Sequence, residues 1–521
     1  MTSKEPTGED GTSASSPNPV TRSDDEQRLH ELGYAQELER SMSPFSNMAV
    51  SMTIICILSG ALTLYGFGMN TGGPVIMVWG WPIVGLFSLI VGLGMAEVCS
   101  SYPTAGGLYY WAAKLAKNNA PEWAWFTGWF NFLGQVAVTA GIDFGLAQFL
   151  NAFLSLQFGF DSTPRHTVAL FGIALVIHAL LNVRGVRLVA ILNNISVWWQ
   201  VIGVAIVVLA LSILPDHHQS AKFVFTHFTN NTGWTSTLYV CLLGLLLAQY
   251  TFTGFDASAH MTEETHNAAI AGPRGIVNSI IISLVAGWIL LIGVTFAIQD
   301  YDGALASSTG VPPVQIFLDA LGATGGKLLL LIVIGAQFFC GMSSVTANSR
   351  MVYAFSRDGA LPGSAFWHHI STRTRTPTHA IWLCAGGAFL LGLPYLINPT
   401  AYGAVTSIAV IGLYIAYVIP VFLRLRLGSE FVAGPWQLGR WSRLIGIIGV
   451  AWVAFITVLF MLPQSSPIGV DSFNYAPIAV LVVLGFAWIY WVVSAHKWFT
   501  GPKVQGSAEE LSAIERDLEV F

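Results

Sequence analysis

Thr251-Phe252-Thr253-Gly254-Phe255-Asp256, in the middle of a long apolar run, decides how the chain folds, and Leu58-Ser59-Gly60-Ala61 is its counterpart near the start. A helix interrupted inside a bilayer leaves N–H and C=O groups without partners, and lipid cannot supply them. Such breaks persist only where they line a cavity open to water or a solute. One Ser-Gly or Thr-Gly alone would merely kink an ordinary span. Two of them, in the first and the sixth of about twelve membrane-length stretches, predict a solute-binding chamber at mid-membrane.

Outward from these two stretches, the composition sets the class. The 521 residues are 54% hydrophobic and 10% charged, and apolar runs of about 20 residues recur from Met48 to Ser494. The alternating pattern of a barrel is absent, so the chain reads as an all-α integral membrane protein of twelve transmembrane helices. They are expected at 46–70, 75–99, 122–155, 165–183, 188–214, 236–266, 277–299, 325–355, 379–397, 401–426, 443–463 and 474–497. Under this assignment 20 of the 23 Lys and Arg residues lie on one side, with Arg165, Lys222 and Lys327 on the other. That bias predicts a multi-pass plasma-membrane protein with both termini cytoplasmic. Spans one to five and six to ten form two halves with breaks at matching positions, the pattern of a five-plus-five inverted repeat with helices 1 and 6 discontinuous. The expected divisions are a mostly disordered N-terminal tail over 1–43, with a short helix near Asp25 to Arg40, a transport core over 44–427, two further helices over 428–498, and a cytoplasmic tail over 499–521.

Several function classes are excluded. The cysteines form no CxxC or CxxH pattern, so neither a disulfide nor a metal site is expected. His217, His218 and His227 share a polar loop and read as solvated. HExxH, Walker and nucleophile–base patterns are missing from the spans, which argues against an enzyme and against an ATP-driven pump. The expected partners are the lipid bilayer and a small solute, with no nucleic acid and no cofactor beyond a coupling ion, H+ or Na+.

Four motifs carry a resemblance. They are Leu58-Ser59-Gly60-Ala61-Leu62 leading to Asn70-Thr71-Gly72-Gly73-Pro74; Ala96-Glu97-Val98-Cys99-Ser100-Ser101-Tyr102-Pro103-Thr104-Ala105-Gly106-Gly107; Gly254-Phe255-Asp256 running to Glu263-Glu264-Thr265 and Pro273-Arg274-Gly275-Ile276; and Asn348-Ser349-Arg350 followed by Ser356-Arg357-Asp358-Gly359-Ala360-Leu361-Pro362. In this order the chain resembles the amino acid, polyamine and organocation transporter superfamily, in the branch of bacterial and fungal amino acid, GABA and choline permeases. The resemblance implies a broken-helix secondary transporter.

The residues themselves suggest a zwitterion site. A half-helix starting near Gly60 presents free N–H groups and a positive dipole end to a carboxylate, so Ser59, Gly60 and Ala61 form the expected anion cradle. Phe252 and Thr253 offer carbonyls to an ammonium group, with Gly254 and Phe255 beside them. Phe255 either covers the solute, as the family's span-six aromatic gate does, or is a core residue.

Asp256 is an ionisable residue at mid-membrane and therefore a functional candidate. Related permeases carry an acid there, linked to proton coupling or gating. His260 lies one turn on and shares its face; the alternative is that Asp256 only caps the inner half-helix. Asp143 either contacts an amine or lines the entry. Gln200 stands where some relatives place a coupling lysine, a departure that weighs against that mechanism. Ser343 and Ser344, with Thr346, either offer oxygens to sodium or bond their own backbone. Glu97 and Glu263 read as ion-pair partners or an inner gate, and Gln249, Gln337 and Asn348 as pocket groups or interhelical glue.

The resulting expectation is a permease for a small amino acid or GABA-like zwitterion, working by alternating access with proton coupling. Choline or another organocation is the alternative solute, and a non-transporting nutrient receptor of the same fold is the alternative class.

Overall fold

The computed structural model describes residues 24–398 and 400–519. The first crossing is Pro44–Ile55 and Ile57–Thr63, separated at Cys56. Ser43 starts it, its hydroxyl accepting from Ser46 N at 3.1 Å with Pro44 in the first turn. Spans 2 to 5 are Gly73–Ser101, Ala120–Phe158, Pro164–Val183 and Val186–Ile213. Span 6 consists of Thr237–Gly244, Leu246–Thr251 and, beyond a gap, Ala257–His260. Spans 7 to 12 are Ala268–Phe296, Pro312–Arg357, Thr378–Gly392, Ala401–Leu427, Ser442–Met461 and Ala476–Val493. Span 8 is divided at Gly322, which sits at φ 69°.

Eleven helices among the described residues are long and apolar enough to cross a bilayer, against the twelve expected. The difference lies in span 6. Its apolar part, Thr237–Thr251, rises roughly 22 Å at 1.5 Å per residue, short of a hydrocarbon core of about 30 Å. The remainder of the crossing is made by the non-helical turn and the short helix after it.

The two halves pack as an inverted repeat relates them. Span 2 meets span 7: Trp81 Nε1 donates to Leu284 O at 2.9 Å, and a Cβ on Gly92 would stand against Ile280. Span 3 meets span 8, where Gly128 lies under the Phe355 ring and Thr139 bonds Ser344 at 2.8 Å. Span 3 also meets span 10 backbone to backbone, because a Cβ on Gly134 would come within 2.6 Å of Leu413 N. Small residues permit such approach where lipid offers no hydrophobic drive between helices.

The segment before span 1 is not a loose tail over the part described. Asp24–Leu32 is helical, and Gly33, at φ 99°, ends it. Asp25 then accepts from Asn267 N and Ala268 N at 2.6 and 2.9 Å, satisfying free amides at the start of span 7. Tyr34, Leu38 and Met42 are buried. The C-terminal segment laces onto it: Gln505 N donates to Gly33 O, Ala35 N to Gln505 Oε1, and His30 meets Glu515 at 2.6 Å. Residues 1–23, the start of the expected disordered tail, lie outside the described residues.

Candidate functional site

The two breaks face each other. A Cβ on Gly254 would strike Ile54, the residue before the end of the first half of span 1, and one on Gly60 would stand 2.7 Å from Thr251 Oγ1. Gly254 takes φ 87°, a left-handed conformation that favours glycine, and so turns the chain out of the helix that ends at Thr251.

The first break lies at Cys56, ahead of the Leu58–Ala61 stretch expected. Ser59 N and Gly60 N both donate to Cys56 O at 2.9 Å, so the helix has already restarted there. Gly60 is small because Thr251 crosses it, not because the helix stops. The cradle expected from the amides of Ser59, Gly60 and Ala61 therefore shifts: the opening amides are those of Ile57 and Leu58, and Ser59 remains as a hydroxyl one turn on.

Across the gap, Phe252 O already accepts from Tyr414 Oη, and Phe252 packs its ring on Trp81 with centroids 4.7 Å apart. The second expected carbonyl, that of Thr253, receives no bond within the described residues, while its hydroxyl donates to Tyr250 O at 2.7 Å. Phe255 is buried and faces span 10, its ring 4.7 Å from Tyr417 and 6.1 Å from Tyr414.

Asp256 occupies the capping position of the inner half-helix but makes no capping bond. Its carboxylate accepts from Gln135 Nε2 at 2.7 Å and from Tyr417 Oη at 2.6 Å, and His260 Nε2 lies 3.2 Å away. Tyr417 Oη also accepts from Gly254 N at 3.1 Å. One hydroxyl thus ties the carboxylate to the glycine that forms the break. His260 Nδ1 meets Ala105 O at 2.9 Å, linking the pair to the loop after span 2.

The remaining expected residues fall elsewhere. Among the described residues Gln200 reaches only Ser196, at 3.4 Å, within span 5. Ser343 donates to Asn193 of span 5 and to Phe339 O, and Ser344 bonds Thr139 of span 3. Both hydroxyls are therefore directed at neighbouring helices rather than at span-1 carbonyls. Asp143 stands 2.7 Å from His178 Nδ1, and both are buried. Gln337 bonds Thr63 at 3.2 Å, Gln249 accepts from Trp452 at 3.2 Å, and Asn348 reaches Thr139 at 3.4 Å.

On the face carrying most Lys and Arg, buried ion pairs tie the ends of the spans together. Arg350 meets Glu264 at 2.7 Å and Arg357 meets Glu263 at 3.2 Å, while Ala105 N donates to Glu263 at 2.9 Å. Glu97 pairs with Arg424 at 3.0 Å. Tyr34 seals the edge: the Arg357 guanidinium lies 3.9 Å over its ring, and its hydroxyl donates to Asp358, which also accepts from Tyr109. Burial pushes the Tyr34 hydroxyl well above its usual range and raises the Asp358 carboxyl, although Arg357 and the two tyrosines pull the latter back down.

Gln135, Tyr417 and His178 were missed in the sequence, although Asn131, Gln135, Thr139 and Asp143 recur every fourth residue in span 3, a row of polar groups on one face.

Similarity to known proteins bears on what such a site serves. Residues 43–485 match the family profile described as amino acid permease. The chain is similar to the amino-acid permease BAT1 of Arabidopsis thaliana, 45% identical over 91% of this chain and 95% of that one. It is similar to the GABA-specific permease of Saccharomyces cerevisiae, 33% identical over 95% of this chain and 88% of that one. Amino-acid permease 2 of Neurospora crassa is 29% identical over 94% of this chain and 91% of that one.

Proposed function

The chain belongs to the amino acid permease family, and from that we propose a proton-coupled secondary transporter that carries a small amino acid or GABA-like zwitterion through a plasma membrane by alternating access. The observation that supports this reading most is the confrontation of the two breaks, with Ile54 against Gly254 and Gly60 against Thr251. The solute carboxylate sits against the amides of Ile57 and Leu58 and the Ser59 hydroxyl, where the helix dipole is positive. Its ammonium group faces the Thr253 carbonyl. The face bearing most Lys and Arg is cytoplasmic.

Asp256 and His260 hold the coupling proton. Ionised, Asp256 accepts from both Gln135 and Tyr417. A protonated carboxyl keeps less acceptor capacity and gains a donor, so the bond from Tyr417 is the one exchanged. Tyr417 also holds the amide of Gly254. Protonation therefore reverses the Tyr417–Asp256 bond, and the Tyr417 oxygen then accepts from the carboxyl as well as from the amide of the span-6 hinge, which weakens its hold on Gly254. Sodium coupling is disfavoured because Ser343 and Ser344 are bonded to spans 5 and 3.

Uptake of labelled amino acids, GABA and choline into proteoliposomes tests the reading. Amino acid or GABA accumulation driven by an inward proton gradient is expected. Binding without turnover would indicate a receptor, and uptake of choline alone an organocation carrier. Asp256→Asn, a mimic of the protonated state, is expected to flatten the pH profile of uptake.

A further inference from the structure

We infer that one face of span 3 is a proton route running through the protein beside the solute path, with Asp143 and His178 forming a second acid–imidazole pair at the end away from Asp256 and His260. This rests on the proton-coupled reading and assigns it residues that the solute site does not use.

The face is built from Asn131, Gln135, Thr139 and Asp143, all buried and all at i, i+4 spacing, covering about 18 Å of helix rise. Asn131 Nδ2 lies 3.3 Å from His260 Nε2 and Gln135 donates to Asp256. Thr139, one turn on, bonds Ser344 at 2.8 Å and receives Asn348 at 3.4 Å. Asp143, a further turn on, meets His178 of span 4. The row thus leads from one carboxylate–imidazole pair towards the other, with Asp143 one turn beyond Thr139 and not bonded to it.

Three features set it apart from interhelical glue. Glue uses up its hydrogen-bonding valences, and buried polar groups normally do so. Here both oxygens of Asp143 and both nitrogens of His178 lack an aligned hydrogen bond despite the 2.7 Å approach, and Asn131 Oδ1 and Asn348 Oδ1 are unpartnered too. Secondly, room is kept for the pair: a Cβ on Gly341 would strike Asp143 Oδ1 and stand 2.7 Å from His178 Cε1. Thirdly, the pair touches the machinery of the break. Gly341 follows Cys340, whose Sγ donates to Ile54 O at 3.2 Å.

Other groups face the pair from each neighbouring helix. Cys340 of span 8 and Tyr250 of span 6 lie within electrostatic reach of Asp143, and Tyr402 of span 10 adjoins Tyr250. Asn182 of span 4 donates to His178 O and Met342 O, holding spans 4 and 8 together around the pair. None of these carries a fixed positive charge, so His178 is the group that faces the Asp143 carboxylate at ion-pair distance.

The step conserves atoms and charge. A proton from the side opposite the basic loops bonds to a nitrogen of His178 or an oxygen of Asp143. It is relayed by way of the Thr139 hydroxyl, which donates to Gln135 O at 2.9 Å and meets Ser344, and bonds to Asp256 or His260, restoring the first pair. No electron is transferred.

The test uses the full chain in liposomes loaded with a pH-sensitive dye, with GABA or the best-transported amino acid of the panel as probe. Luminal pH and labelled solute are read together for wild type, His178→Gln and Thr139→Val. Each variant is expected to lower protons moved per solute at least fivefold while solute counterflow at equal pH persists. A wild type that moves solute without protons overturns the coupled reading and this inference with it. A wild type that moves protons, with both variants keeping its ratio and pH profile, overturns the inference alone. Parallel loss of proton movement and counterflow in both variants also counts against it, since a purely structural pair would behave so.

Discussion

A methyl group at position 60 would stand 2.7 Å from Thr251 Oγ1 and 3.0 Å from Thr251 Cα, a backbone atom that cannot swing aside. Gly60→Val is therefore expected to push the two broken helices apart and abolish uptake while the protein still reaches the membrane; fluorescence-detected size exclusion and uptake, measured together, check this. Gln135 offers a subtler probe. Gln135→Leu removes one of two strong donors from a fully buried carboxylate, a loss of about 1–3 kcal/mol for the ionised form. With that donor gone, Asp256 keeps the Tyr417 hydroxyl and His260 as neighbours, and the pH midpoint of uptake is expected to move from that of the unaltered protein. An unmoved midpoint would remove Gln135 from the coupling site. These residue roles were only half legible in the sequence. Asp256 stands out because acids are rare in apolar runs, whereas Tyr417 looks like any aromatic residue of span 10, and its two bonds, to Asp256 and to Gly254 N, depend on a fold that brings position 417 to position 254.

At the scale of elements, the break in span 6 was readable because Gly254 has to adopt a left-handed backbone and its neighbours Thr253 and Asp256 are polar. The break in span 1 was misplaced for the converse reason: Ser59-Gly60 looks like an interruption but is a helical turn kept narrow for Thr251, while the real gap falls at Cys56, a residue type that signals nothing. The seam between spans 3 and 10 also depends on missing side chains. Gly134→Val would place a branched group 2.6 Å from Leu413 N, and overpacking of this kind costs about 1–3 kcal/mol. A fall in the apparent melting temperature is expected in detergent. Gly386→Ala, in span 9 with no atom within 4 Å of the new Cβ, serves as the neutral comparison.

For the whole molecule, the all-helical membrane class follows from hydropathy, whereas the contacts that join the basic face do not. These link residues far apart in the chain: Gln36 Nε2 donates to Glu263 O at 2.7 Å, Arg40 to Thr262 O at 3.1 Å and Arg375 to Gln36 O at 2.6 Å. No periodicity announces such contacts, and the segment's charged composition reads as a solvated tail. Removing residues 1–41 deletes these bonds and the carboxylate of Asp25 over the start of span 7. A cysteine placed at Thr262 is expected to react with a membrane-impermeant maleimide several-fold faster in the truncated protein than in the full chain, in inside-out vesicles. Equal rates would mean the ion pairs of Glu263 and Glu264 close the face unaided. The contact of Gly134 with the main chain at Gly412 has a wider consequence. Helices that touch spine to spine have no slack to slide, so spans 3 and 10 travel as one rigid keel. Under the proposed transport cycle, room for a bulkier cargo has to come from trimming a side chain such as Thr251 at the crossing of the two breaks, since the glycines of the keel leave nothing to trim.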